Sequence, residues 1–139
     1  MDALPQKLRD SLLARGDVTF AVLFGSGARG ELKPSSDLDV ALELTRPLDA
    51  WELGGLAEEL AKAMGRPVDL VLFPEVRSAL LRHEISKGVL LLGRGEEWID
   101  FRQRAMREWR DFEPRFRRYM EAGLRKFLRE QVAPSEEGR

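Results

Sequence analysis

Leu23-Phe24-Gly25-Ser26-Gly27-Ala28-Arg29-Gly30 and, shortly after it, Ser36-Asp37-Leu38-Asp39-Val40 decide how this chain is read. The apolar run Val18 to Phe24 is rich in β-branched and aromatic residues, which predicts a buried strand. It stops at Gly25-Ser26. After ten further residues, Asp37 and Asp39 head a second apolar run that ends at Leu44. Alternation along a strand sends both carboxylates to one face, about 7 Å apart at ~3.3 Å rise per residue. Two anionic groups that close repel each other, and little in the local sequence neutralises them. A divalent cation does so, and an all-oxygen donor set suits magnesium or manganese. Glycines around the Ser26 hydroxyl leave backbone N–H groups free to meet a phosphate. The stretch reads as a site for a nucleoside triphosphate and a metal ion.

Around this site the chain, at 139 residues, has the length of one domain with a real core. Its 23 basic and 24 acidic residues exert no global pull toward nucleic acid or an anionic membrane. The charge is uneven: residues 1–93 carry a net −3 and residues 94–139 a net +2. Absence of cysteine excludes disulfides and thiolate metal sites and fits a reducing compartment. Met1 to Pro5 lacks the basic and apolar regions of a signal peptide, and no apolar run approaches ~20 residues. A cytoplasmic protein with no membrane association is expected.

Leu4, Leu8 and Leu12 recur at fours and predict a helix ending at Gly16. Strands are expected at Val18–Phe24, Asp37–Leu44, Val68–Phe73 and Val89–Leu92, with a turn from Gly25 to Ser36. In the second strand Leu38, Val40, Leu42 and Leu44 share one face, and Asp37, Asp39, Ala41 and Glu43 the other. A helix from about Asp49 to Met64 contains Gly54-Gly55, a costly pair that predicts close packing there. Pro74 opens a helix through about Lys87. From Glu96 the pattern is helical almost to Val132, with Pro114 as a break or first-turn residue and a frayed end over the last seven residues. The sum is an α/β (α+β) domain: a small mixed sheet flanked by helices, with a helical tail.

Gly25, Gly27 and Gly30 also spell G-x-G-x-x-G after a strand. A dinucleotide fold fails on context, because six residues between Gly30 and the next strand cannot form a parallel crossover helix. No Gly-Lys-Ser/Thr occurs, which removes a Walker A loop.

Gly25-Ser26, ten intervening residues, Asp37-x-Asp39 and a later lone Asp69 in a strand resemble the signature of the DNA polymerase β-like nucleotidyltransferase superfamily. The local spelling is most similar to the minimal nucleotidyltransferases (MNT), small proteins usually paired with a HEPN-domain protein in toxin–antitoxin modules. The resemblance covers residues 15–95 strongly. It extends weakly to the tail at Phe101, Arg102, Ala105, Trp109, Asp111, Phe112 and Pro114.

The resemblance implies a nucleotidyltransferase domain over residues 1–93 and a C-terminal helical extension over 94–139, packed on it or on a partner. It implies that Asp37 and Asp39 ligate two Mg²⁺ ions holding ATP. Asp69 then joins the catalytic ion and helps deprotonate an acceptor hydroxyl. Gly25, Ser26, Arg29 and Ser36 match nucleotide-binding positions, Ser26 gripping the β/γ-phosphates. It further implies AMP transfer to a tyrosine of a HEPN toxin, an antitoxin role within a hetero-oligomer.

Simpler roles stand beside these. Asp37 could cap a turn, Asp69 could mark strand entry at a sheet edge, and Arg29 could be a surface arginine. His83 reads as a surface residue or simple hydrogen-bonder, and Trp51, Trp98 and Trp109 as packing anchors. The seven arginines between Arg102 and Arg118 face three acidic residues, a net +4 suited to an acidic partner. Two other functions remain open. One is a non-catalytic antitoxin that occludes its partner. The other is a nucleotidyltransferase acting alone on a small molecule or RNA; RNA calls for a stronger basic and aromatic surface than a chain of net charge −1 offers.

Overall fold

A computed structural model describes residues 3–28 and 37–137, the last six of them by backbone alone. The two long apolar runs form the centre of one sheet: β1 (Val18–Phe24) and β2 (Leu38–Leu44) pair antiparallel, with Phe24 opposite Asp39 and Leu23 opposite Val40. On the far side of β2 lies β3 (Val68–Leu72), parallel to it, and on the far side of β1 lies β4 (Val89–Leu92), antiparallel. The order is β3-β2-β1-β4.

Alternation gives each face of this sheet its own core. Leu23, Leu38, Val40 and Leu42 point to one face and pack with α1 (Ala3–Arg15), through Leu8 and Leu12, and with α2 (Ala50–Met64), through Leu56, Leu60 and Met64. Asp49 caps α2, its side chain accepting from the Glu52 N–H while Glu52 accepts from the Asp49 N–H. Such a reciprocal box satisfies two otherwise orphaned donors. Phe20, Val22, Phe24 and Ala41 point to the other face, covered by α3 (Ala79–Ser86) and the first turns of α4 (Gly95–Glu137). Phe101 is the anchor there: it is buried, edge-on to Phe73 at 4.8 Å, and lies under the Arg82 guanidinium.

Arg82 also fixes α3 to α4 by a two-point pairing with Glu108, Nε to Oε1 at 2.7 Å and Nη2 to Oε2 at 3.3 Å. His83, expected on the surface or in a hydrogen bond, instead stacks flat on Trp109, with ring centroids 4.5 Å apart. Its Nδ1 is buried without a hydrogen-bond partner among the described residues, and burial, with Lys87 nearby, lowers its pKa. The ring serves as a packing plate.

Several expectations are corrected. Gly54 and Gly55 have no neighbour among the described residues within 4 Å of an added Cβ, so none of these packs closely there; α2 absorbs the pair because its opposite face is anchored in the core. Pro74 sits in a 3₁₀ turn, Phe73–Glu75, and α3 starts only after Ser78, whose hydroxyl caps it by accepting from the Leu81 N–H. Trp51 is 89% exposed and anchors nothing in the core. Pro114 lies inside α4, which continues to Glu137; the last two residues of the stretch expected to fray lie outside the described residues. Proline can donate no hydrogen bond to the Arg110 carbonyl, so α4 carries a missing rung at that point. Among the described residues, no helix is long and apolar enough to cross a membrane.

Candidate active site

β1 ends at Phe24 and the chain turns at once into the 3₁₀ turn Gly25–Gly27, closed by the Ala28 N–H donating to the Gly25 carbonyl at 3.2 Å. Gly25 takes a positive φ of 72°, and a Cβ there would stand 2.6 Å from Oδ2 of Asp39. Glycine is required twice over, for the backbone and for the close approach. Gly27, read from the sequence only as a glycine flanking Ser26 and not as a packing position, is buried over Leu23 and Leu38, a Cβ there falling 3.2 Å from Leu23 Cδ1. The repeated glycine two residues on was its only signal. Ser26 sits between them at the surface of the turn, partly exposed.

Asp39 is the second residue of β2 and Asp69 the second residue of β3. They stand directly opposite each other in the parallel ladder, which puts their side chains on one face of neighbouring strands, about 4.8 Å apart at the backbone. Asp37 precedes β2, which begins at Leu38, one residue later than expected; the Leu38 N–H donates to the Pro67 carbonyl and ties the two strand entries together. Burial first, then the charge of Asp69, then that of Asp37 hold the Asp39 carboxyl above the usual carboxylate range. The structure gathers Gly25, Asp37 and Asp69 around Asp39, and Ser26 follows Gly25 in the turn. Arg29 and Ser36 lie outside the described residues.

Among the described residues, no three carboxylate or imidazole groups close into a ready-made metal cage. The aspartates form an open, oxygen-only edge beside a glycine turn. That donor set fits magnesium, which is characteristically held by one or two carboxylates and completed by substrate phosphates. Like charge crowding Asp39 is the local problem that a cation relieves. A groove lined by Leu44, Pro47, Leu72 and Pro74 lies at the other end of the same strands and shares no residue with this edge.

The family model for polymerase beta nucleotidyltransferases matches residues 6–97, from α1 through β4 to the start of α4. The chain belongs to this family. A Methanocaldococcus jannaschii protein, assigned by inference as a protein adenylyltransferase, is 29% identical over 92 residues, spanning 66% of this chain and 98% of that protein. Among solved structures, one chain of a toxin–antitoxin complex with AMP-PNP superposes with a TM-score of 0.70 at 23% identity, covering 85% of this chain and 98% of that one. A chain from the complex of a tri-AMPylated Shewanella oneidensis HEPN toxin with its MNT antitoxin gives 0.66 at 21% identity, covering 86% and 98%. At these identities the likeness speaks for the fold. As a nucleotidyltransferase, the protein takes a nucleotide as substrate.

Proposed function

We propose that this nucleotidyltransferase moves AMP from ATP to a tyrosine hydroxyl of a HEPN-domain toxin and so acts as its antitoxin, in a cytoplasmic hetero-oligomer. The observation that carries this is the pairing of Asp39 with Asp69 across β2 and β3, beside a turn that only glycine can make. The names of the matched proteins, a protein adenylyltransferase and complexes holding AMP-PNP or an AMPylated toxin, support the choice of nucleotide and acceptor.

Each residue then has a task. The N–H groups and hydroxyl of Gly25-Ser26 hold the β/γ-phosphates, with Arg29 and Ser36 contributing from the following segment. Asp37, Asp39 and Asp69 would hold two Mg²⁺ ions, which supply charge neutralisation for the triphosphate when bound. Asp69, the more exposed of the two paired aspartates, faces the incoming acceptor and draws off its proton. The acceptor oxygen bonds to the α-phosphorus, the bond to the bridging oxygen breaks, and pyrophosphate leaves with that electron pair. Residues 1–93 carry this chemistry and residues 94–139 form the extension.

The test combines the purified chain with purified HEPN-domain proteins of the source genome, ATP and Mg²⁺. The partner's intact mass should rise in AMP steps; a stable complex with unchanged mass would leave an occluding antitoxin. The exposed reach of α4 favours that second function enough to keep it. Asp37→Asn with Asp39→Asn separates the two, since occlusion survives the double change and catalytic protection does not.

A further inference from the structure

The face by which α4 packs on its own domain does not end where the domain ends. Trp98, Phe101 and Ala105 lie on the sheet, and Trp109 lies on His83. The same helical stripe runs on through Phe112 and Phe116, which stack at 5.6 Å, to Met120, Leu124 and Phe127. Met120 is 52% exposed, Leu124 58%, Phe127 55% and the adjoining Leu128 51%. Gly123, within the stripe, has nothing among the described residues within 4 Å of an added Cβ. Together these side chains leave on the order of 400 Å² of apolar surface open, the size at which a patch marks an interaction site.

We propose that this stripe, Met120 to Leu128, is the seat of the acceptor protein. This rests on the function proposed above and adds where the acceptor is held. The occupant is a helical surface with an apolar groove between carboxylates. Charge selects it: residues 110–131 carry seven Lys/Arg against four Asp/Glu, with Arg115, Arg117, Arg118, Arg125, Lys126 and Arg129 all exposed. Two copies of this helix laid side by side would set one net +3 against another, whereas an acid-rimmed groove is steered toward it. The stripe continues the face that turns toward the sheet, so a seated partner lies beside the domain, on the side of the sheet where Asp39 and Asp69 open.

The experiment measures binding of the purified chain to purified HEPN-domain proteins of the source genome, with and without ATP and Mg²⁺. Met120→Asp/Phe127→Asp should weaken the complex at least tenfold, as truncation of buried apolar anchors does. The melting temperature and binding of a fluorescent ATP analogue should stay unchanged. Met120→Ala/Phe127→Ala, which keeps helix propensity, covers the case in which aspartate unwinds the helix. Wild-type affinity in both variants overturns the proposal. So does failure of every HEPN-domain protein to bind, or a dimer of the isolated chain that these substitutions dissolve. A complex lost with the stripe, in a pair that shows no AMP addition, leaves the seat standing and removes the transfer. AMP addition that persists undiminished in both variants does the reverse.

Discussion

Gly25 and Asp39 constrain each other, because the carboxylate occupies the space that any side chain at 25 would need. Gly25→Ala combines a left-handed backbone with that collision and should cost about 1–3 kcal/mol by chemical denaturation, together with weaker ATP binding. Wild-type stability in that variant would contradict the geometry. Asp39 offers a test with a sign. Its carboxyl is held above the ordinary range by burial, Asp69 and Asp37, so the folded protein binds that proton more readily than the unfolded chain. Stability is then complete at low pH and declines as pH rises through the raised pKa. Asp39→Asn should therefore melt higher than the native protein at pH 7, by a margin that shrinks to nothing below about pH 4, while losing nucleotidyl transfer. Identical melting curves at both pH values would remove the like-charge crowding. Ser26→Ala should weaken triphosphate binding with little change in melting, and the opposite pattern would make Ser26 structural.

Among the elements, α4 is the one whose two halves behave differently. Phe101→Ala empties a buried site shared by Phe73 and Arg82 and should destabilise the whole domain by about 3–5 kcal/mol. Pro114→Ala restores a backbone donor toward Arg110 in an exposed helix, where proline costs about 3 kcal/mol against alanine. Its effect should appear as slower hydrogen exchange beyond residue 110 rather than as a higher global melting point. Equal exchange in both proteins would show that the missing rung is harmless. The sequence made the sheet legible through simple alternation, and Gly-Ser with Asp-x-Asp pointed to the candidate site because a turn and two strand entries are local events. What it could not convey was Pro114 within one helix, since flanking strong helix formers override a single breaker. Nor could it convey that Gly54-Gly55 stands open, because a glycine pair looks the same whether tolerated or packed. The stacking of His83 on Trp109 joins two helices through a contact that no local pattern encodes.

At the scale of the molecule, a four-stranded sheet between two helical layers puts the aspartates on the face shared with α4. Asp39, Asp69 and the first turns of α4 therefore share one face of the sheet although far apart in sequence. The sheet has a further property. Its outer strands, β3 and β4, are five and four residues long, against seven for each central strand, and β3 bears Asp69 exposed. Short, charged borders make poor templates for another chain's backbone. Crowded solutions of this protein should consequently resist fibril-like growth by strand addition, and any unwanted clumping should trace to the bare end of its longest helix.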